Sequence, residues 1–141
     1  MKRTPRCVFC DIAAGHAPAA RVFEDDLTIA VMDIAPAARG HVLVLSREHF
    51  ETLYQLSAEA AQGVALTARR VALALRAALE PEGLSVVQSN GAAANQTVAH
   101  YHMHLIPRRR TEGLRVHGKG AADFEALKAL AAEIARHVPT A

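Results

Sequence analysis

The sequence predicts an α+β fold, a single domain built on a five-stranded antiparallel sheet. Short runs rich in β-branched and apolar residues come in clusters bounded by Pro, Gly and Asp, rather than alternating one by one with helices. Only two segments have the apolar spacing of amphipathic helices, one between the third and fourth strands and one near the C-terminus. Because 141 residues is a typical length for one domain, we expect residues 1–141 to form a single unit with its core at about 7–110.

The first part of the chain predicts a short helical turn followed by three strands. The turn covers residues 11–15 and comes directly after two cysteines. Residues 21–24 and 27–34 flank the tight turn Asp25-Asp26 and form a hairpin. Residues 41–46 are nearly all apolar, which predicts a strand at the centre of the sheet.

A long helix is predicted between the third and fourth strands. Ser57 can cap it, and Glu59 in its first turn suits the helix dipole. Pro81 and Gly83 end it. Its apolar residues recur at i, i+4, i+7, i+11 and i+15 and form one core-facing stripe: Val64, Ala68, Val71, Leu75 and Leu79.

The last part of the chain predicts two more strands and a second helix. The fourth strand covers residues 84–89 and is followed by a loop of small residues at 90–96. The fifth strand contains three histidines. The C-terminal helix is expected at about 122–138, starting near Asp123, with an apolar stripe of Phe124, Leu127, Leu130 and Ile134.

The bulk composition argues against several classes of partner. A formal charge of +2 is too small to indicate nucleic-acid binding, so we expect no nucleic-acid partner. No apolar run approaches the ~20 residues that span a bilayer, so we expect no membrane partner. No apolar signal core follows the basic residues 1–6, which predicts a cytoplasmic protein. The run Arg108-Arg109-Arg110 is either solvated or attracts an anionic ligand.

Three histidines, His100, His102 and His104, fall at i, i+2 and i+4. Along a strand they would share one face, whereas a helix would scatter them around its axis. Such a row can bind a transition metal or transfer protons near neutral pH. Because the first and third start about 13 Å apart, one ion cannot bind both, so at least one is left for other chemistry. The alternative is that the three histidines form a hydrogen-bonded polar face, or a histidine-rich surface strand, that has no catalytic role.

Cys7 and Cys10 form a Cys-x-x-Cys motif. Without a secretion signal this spacing indicates metal or redox chemistry rather than a structural disulfide. A thioredoxin-like motif needs a preceding strand, which a motif this close to the N-terminus lacks, so half of a zinc site is the stronger interpretation.

These motifs together resemble the histidine triad family, in its branch of small dimeric nucleoside phosphoramidases and nucleotide hydrolases. The specific part is the triad with its tail, His100-x-His102-x-His104-Leu-Ile-Pro-Arg. The matches run in order from Cys7 to Arg108, and the others are Cys-x-Phe-Cys-Asp-Ile, Val22-Phe23-Glu24-Asp25-Asp26, Met32-Asp33-Ile34-x-Pro36, Gly40-His41-x-Leu-Val, Glu48-His49, Asn90-Gly91 and Gln96-Thr97-Val98.

The resemblance implies a catalytic mechanism. His102 would attack the α-phosphorus of a nucleotide and form a nucleotidyl-histidine, which water resolves to release the nucleoside monophosphate. His104 would bond phosphate or leaving-group oxygen and help protonate the leaving group. Asn90, Gln96 and Thr97 would donate to phosphate oxygens. His100 completes the catalytic triad.

The resemblance also implies a purine nucleotide pocket. Asp33 would accept the ribose hydroxyls, because one carboxylate can accept both. The apolar base pocket would be formed by Val8, Phe9, Ile12, Met32 and Ile34, although core packing explains Val8 and Ile12 equally well. Such a pocket distinguishes bases poorly. His41 aligns with a histidine near the active site or packs under the triad, and His16, His117 and His137 are expected to be solvated.

A structural zinc ion and a homodimer follow from the same resemblance. The zinc ligands would be Cys7, Cys10, His49 and His100, a closed set typical of a structural site. The alternative is a pair of reduced thiols, with His100 merely orienting its neighbour. The dimer would form through the long helix and the fourth strand, where Leu84 and Val86 permit pairing.

Phosphoramidates are the expected substrates, with dinucleoside polyphosphates as the alternative. Two other classes stay open at this point: a nucleotide-binding or interaction protein with incidental catalysis, and a zinc hydrolase that uses the triad as metal ligands.

Overall fold

The computed structural model describes residues 7–140 and contains one sheet and three α-helices. The strands are β1 Arg21–Glu24, β2 Thr28–Met32, β3 Val42–Ser46, β4 Gly83–Val87 and β5 His102–Arg108. The helices are α1 Val8–Ala13, α2 Ala58–Leu79 and α3 Phe124–Ala135, with a short 3₁₀ turn at Ala92–Ala94. All neighbouring strands are antiparallel, in the order β1-β2-β3-β5-β4. The predicted fold class is confirmed.

The two faces of the sheet have different neighbours, because successive strand residues point to opposite sides. On one face, Val42, Val44 and Leu105 pack with α2 and α3 in the main core. On the other face, Leu43 and Leu45 pack against α1 in a smaller core. The larger core buries the predicted α2 stripe from Val64 to Leu75, together with the α3 residues Leu127, Ala131 and Ile134.

The register of β3 and β5 decides where the histidines lie. Leu43 pairs with His104 and Leu45 pairs with His102. Since residues directly opposite each other share a face, both histidines lie on the α1 side of the sheet, away from the two long helices. His102 and His104 therefore lie on the face of the sheet that has the smaller core.

Both long helices begin at the predicted capping residues. Ser57 Oγ accepts a hydrogen bond from the Ala60 amide at 3.1 Å, and Asp123 accepts one from the Ala126 amide at 3.2 Å. Each such cap is worth about 1 kcal/mol. The first helix begins earlier than the predicted residue 11, because Cys7 caps it by accepting a hydrogen bond from the Cys10 amide on its sulfur at 3.4 Å.

The strand that contains the triad begins at His102, so the prediction that all three histidines lie on one strand is wrong. The ladder between β3 and β5 stops at the pair Leu45 and His102. The preceding residue, Tyr101, donates its amide to Phe50 instead. At its other end β5 continues through Pro107, since β3 begins at Val42, opposite Leu105, and only β4 lies beside the proline. His100 is thus free to turn out of the row.

The three consecutive arginines brace the ends of neighbouring elements. Arg108 donates from Nε to Ser85 Oγ at 2.9 Å, and Arg109 donates to the Leu79 carbonyl at the end of α2 at 2.8 Å. Arg110 forms an exposed ion pair with Glu82 at 3.4 Å. These contacts give the run a structural explanation.

Within residues 7–140, no helix is both long and apolar enough to span a bilayer. The basic residues 1–6 lie outside the described part of the chain.

Candidate active site and metal cluster

A cavity of about 300 Å³ opens on the α1 face of the sheet. Its apolar part is formed by α1 and the middle strands, and its polar part by histidines and Asp33. It is lined by most of the residues predicted to bind nucleotide: Val8, Phe9, Ile12, Met32, Asp33, Ile34, Thr97, His102 and His104. The fold thus brings together residues that are separated by more than ninety positions in the chain.

His102 is held in one tautomer by the backbone. Its Nδ1 lies 2.7 Å from the carbonyl oxygen of His100, and because a carbonyl only accepts, the proton is on Nδ1. Nε2 therefore carries the lone pair. Burial lowers the pKa of His102, which keeps the ring neutral at pH 7. The result is an uncharged imidazole with a free nucleophilic nitrogen in the wall of the cavity.

His104 is held in the other tautomer by His41. The Ala37 amide donates to His41 Nδ1 at 3.0 Å, so the proton of His41 is on Nε2. That nitrogen lies 2.9 Å from His104 Nδ1 and donates to it. A neutral His104 consequently has its own proton on Nε2. These hydrogen bonds leave a lone pair on Nε2 of His102 and an N–H on Nε2 of His104.

Burial keeps both members of this pair neutral. Burial lowers the pKa of His41 to about 3, and the charge of His104 is the second largest cause of this decrease. Burial also lowers the pKa of His104 to about 4, and the neighbouring His102 adds to the effect. His41 is fully buried, so it both packs beneath the triad and contacts its third member.

Asp33 follows β2 and lines the polar part of the cavity. Its Oδ1 accepts a hydrogen bond from the Ala35 amide at 2.9 Å, while Oδ2 lies 3.3 Å from His41 Nε2. Burial raises the pKa of this carboxyl, opposed by the Ala35 hydrogen bond. The side chain is therefore fixed in place before a ligand arrives.

A second cluster lies beside the cavity and contains the four predicted zinc ligands. His100 Nδ1 lies 3.4 Å from Cys7 Sγ, 3.6 Å from Cys10 Sγ and 3.2 Å from His49 Nδ1. Cys10 Sγ lies 3.2 Å from His49 Nδ1. Ligand bonds of ~2.3 Å to sulfur and ~2.0 Å to nitrogen in a tetrahedron would place such atoms ~3.3–3.8 Å apart. The four side chains fit a zinc ion.

The tautomer of His100 also suits a metal. Its Nε2 lies 2.6 Å from the carbonyl oxygen of Ser46 and must donate to it, which leaves Nδ1 unprotonated toward the cysteines. A ligating histidine usually has its second nitrogen bonded in this way.

Comparison with known proteins decides the family. Residues 14–111 match the family model of the HIT domain. The chain belongs to the HIT family. It is 42% identical over 102 residues to Protein hit of Bacillus subtilis, which covers 72% of this chain and 70% of that protein. It is 36% identical over 137 residues to the adenosine 5′-monophosphoramidase hnt1 of Schizosaccharomyces pombe, which covers 94% of this chain and 98% of that protein.

Solved structures show the same HIT fold. A Hit-like protein from Bartonella henselae superposes with a TM-score of 0.88 at 32% identity, covering 97% of this chain and 99% of that chain. A Zn-bound histidine triad family protein from Mycobacterium smegmatis superposes with a TM-score of 0.80 at 37% identity, covering 93% of this chain and 94% of that chain. The predicted family and architecture are confirmed.

In this HIT domain the triad is divided between the two clusters. His100 turns its imidazole to the cysteines, whereas His102 and His104 line the cavity. The rings of the latter two lie 5.0 Å apart, and the Phe9 ring lies 5.0 Å from that of His102. The division agrees with the distance argument made from the sequence.

Two of the predicted phosphate donors lie outside the lining of the HIT cavity. Gln96 accepts from the Gly91 amide at 2.7 Å and donates to the Glu51 carbonyl at 2.7 Å. Asn90 accepts from the Leu53 amide at 2.7 Å. Both side chains brace the loops around Thr97, and their binding to a ligand stays a prediction.

His117 was missed by sequence reasoning, and the prediction that it is solvated is wrong. Its half-buried ring lines the cavity and lies 5.6 Å from the His104 ring. It belongs to a loop without periodicity, so no pattern in the chain indicates which way it faces.

Proposed function

We propose that this HIT protein hydrolyses the bond between the α-phosphorus of a purine nucleotide and its leaving group, with adenosine phosphoramidates as the preferred class. The observation that carries the proposal is the hydrogen bond from His102 Nδ1 to the His100 carbonyl. It leaves a neutral Nε2 lone pair in a cavity large enough for part of a nucleotide. The similarity to a relative named an adenosine 5′-monophosphoramidase supports the substrate class.

In the first step, the Nε2 lone pair of His102 attacks the α-phosphorus, and the bond from phosphorus to the leaving amine breaks. His104 donates its Nε2 proton to the departing nitrogen while a solvent water returns one to Nε2, so the amine leaves without a negative charge and His104 stays neutral. The nucleotidyl-histidine keeps its proton on Nδ1, which donates a hydrogen bond to the His100 carbonyl. The covalent step divides one difficult displacement into two easier ones.

In the second step, water attacks phosphorus on the same intermediate. The proton that this water loses goes to solvent, which balances the proton supplied in the first step, while the N–H of His104 bonds a phosphate oxygen. The bond between phosphorus and Nε2 breaks, the lone pair returns to His102, and the nucleoside monophosphate is released. Both histidines end the cycle in their starting tautomers, and His41 helps hold His104 in that state by donating to its Nδ1.

The nucleotide would lie along the cavity with its base on the apolar wall. Val8, Phe9 and Ile12 from α1 offer surface but few directed hydrogen bonds, so base discrimination is expected to be weak. Asp33 would accept the ribose hydroxyls, and Thr97 would contact the phosphate from the opposite loop.

A zinc ion would be held by Cys7, Cys10, His49 and His100, whose donor atoms lie within 4.8 Å of one another. When bound, it cross-links α1 to the sheet and supplies structure rather than chemistry. The Zn-bound relative from Mycobacterium smegmatis supports this assignment. The predicted homodimer is supported by the edge strand β4, where Leu84 and Val86 are exposed.

A substrate panel tests the function. Adenosine and guanosine phosphoramidates and diadenosine polyphosphates are compared on wild-type protein and on His102→Ala. We expect the phosphoramidates to be hydrolysed fastest, and the variant to lose turnover by at least about 10³-fold while still binding nucleoside monophosphate. Nucleotide binding without turnover of any substrate would favour a binding protein instead.

A further inference from the structure

We infer that His117 is an additional imidazole of the nucleotide site and hydrogen-bonds the α-phosphate of the bound nucleotide. The inference rests on the proposed function, because it takes the cavity to be the nucleotide site. His117 lies outside the triad, in the loop that connects β5 to α3.

The ring of His117 extends the histidine row of the cavity. Its centroid lies 5.6 Å from that of His104, with the two planes at 87°. The His104 centroid in turn lies 5.0 Å from that of His102. Three imidazoles therefore stand side by side on one wall, two from β5 and one from the loop. A phosphate oxygen that contacts His104 would therefore also lie beside His117, the next ring of the row.

The ring nitrogens of His117 are available to a ligand. Within residues 7–140, neither of them has a hydrogen-bond or ion-pair partner in the protein. By contrast, His41, His102 and His104 each use at least one nitrogen for a protein hydrogen bond. A half-buried imidazole that faces a cavity without a protein partner can donate to a phosphate oxygen.

The loop is fixed on both sides of this residue. Arg108 donates from its guanidinium to the carbonyls of Leu114 and Arg115, at 3.2 Å and 2.8 Å. On the other side, the Gly118 amide donates to the Ala35 carbonyl at 3.1 Å. A Cβ at Gly118 would overlap the carbonyl oxygens of residues 35 and 36, so only glycine allows this close approach. His117 is thus held in the cavity wall by backbone contacts.

The phosphate is a better partner for His117 than the ribose. The ring packs against His104, whose neighbour His102 faces phosphorus in the proposed reaction. Asp33, the proposed ribose acceptor, uses its two oxygens toward Ala35 and His41. Burial raises the pKa of Asp33 and the charge of His117 acts to lower it, but the two side chains form no ion pair in the described chain. The phosphate is also the most highly charged group of a nucleotide, and hydrogen bonds to charged groups are the stronger ones.

Calorimetry with two ligands tests the inference. Adenosine 5′-monophosphate and adenosine are titrated into wild-type protein, His117→Ala and His117→Gln. His137→Gln is the matched control, because that histidine lies near the end of the chain, outside the cavity. We expect His117→Ala to weaken monophosphate binding about tenfold and to leave adenosine binding unchanged. His117→Gln should recover part of the loss through its amide N–H, and thermal unfolding confirms that each variant is folded.

Three outcomes would overturn the inference, and they are distinguishable. If wild-type protein and His117→Ala bind the monophosphate equally well, His117 makes no phosphate contact while the proposed function stands. An equal loss for both ligands would assign His117 to the ribose or to the shape of the cavity. If the wild-type protein binds no monophosphate, the proposed function itself fails and this inference fails with it.

Discussion

The Nδ1 atom of His102 lies 2.7 Å from the carbonyl oxygen of His100, whose own imidazole points to Cys7 and Cys10. His100 therefore has its side chain in the Cys/His cluster, while its backbone carbonyl bonds the proposed nucleophile. The same cysteines flank α1, which forms a wall of the cavity. The Cys/His cluster and the cavity are thus connected through His100 and through α1.

The first prediction concerns this connection. Cys10→Ser removes one metal ligand, so α1 should lose part of its attachment to the sheet. We expect the melting temperature to fall by roughly 5–10 °C, equivalent to ~2–3 kcal/mol, and nucleoside monophosphate binding to weaken severalfold. Zinc content, thermal unfolding and titration calorimetry measure the three effects. His16→Gln, an exposed histidine outside the cluster, is the control, and metal-free wild-type protein of unchanged stability would refute the zinc assignment.

The second prediction concerns the proton that His104 is proposed to give to the leaving group. His104→Ala should lower kcat by about 10²–10⁴ for an amine leaving group, which must be protonated as it departs. The loss should be much smaller for a nitrophenolate leaving group, which departs without a proton. Steady-state kinetics on the two substrate types check this. Equal losses on both would mean that His104 positions the phosphate rather than acting as an acid.

The third prediction concerns the ribose. Asp33→Asn should weaken binding of adenosine 5′-monophosphate by about tenfold, because an amide accepts hydrogen bonds less strongly than a carboxylate. The 2′,3′-dideoxy analogue, which has no ribose hydroxyls, should bind wild-type protein and variant alike. Calorimetry with both nucleotides measures the difference. The same loss for both ligands would remove Asp33 from ribose recognition.

The fourth prediction concerns stability against pH. Burial lowers the pKa of His41 to about 3, whereas a histidine in the unfolded chain has a pKa of about 6.5. Between these values the unfolded chain binds more protons, so acid favours unfolding. The contribution of His41 to the free energy of unfolding is complete above about pH 6.5. It is smaller by roughly 2–3 kcal/mol at pH 4.5. Chemical denaturation of wild-type protein and His41→Gln checks this, since the variant should have a flatter pH dependence; parallel curves would contradict the prediction.

Much of the site could be predicted because its residues belong to regular elements with clear periodicity. The i, i+2 spacing of His102 and His104 puts both on one strand face, and the register with β3 sets that face toward α1. Asp33 and the cysteines could be assigned through short motifs around them. Their convergence could be inferred only from the resemblance, because spacing along the chain carries no information on contacts between separate elements.

The remainder depends on interactions that no local pattern encodes. His100 leaves the strand because β3 ends at Ser46, whose carbonyl then bonds the His100 ring. His117 enters the cavity because Arg108 and Gly118 fix the loop on either side of it. The bonds from the His100 ring to Ser46 and from the Gly118 amide to Ala35 join groups far apart in sequence. A charged run such as the three arginines likewise gives no indication of its partners.

The most direct test of the central claim is the trapping of a nucleotide on His102. An adenosine phosphoramidate is mixed with wild-type protein and quenched within a single turnover, and the peptides are then analysed by mass spectrometry under conditions that preserve phosphohistidine. We predict an adenylyl group on the peptide that contains His102, formed at least as fast as the product. The same peptide of His102→Gln should carry no adenylyl group. Product formation without this adduct, or with an adduct on another residue, would contradict the account.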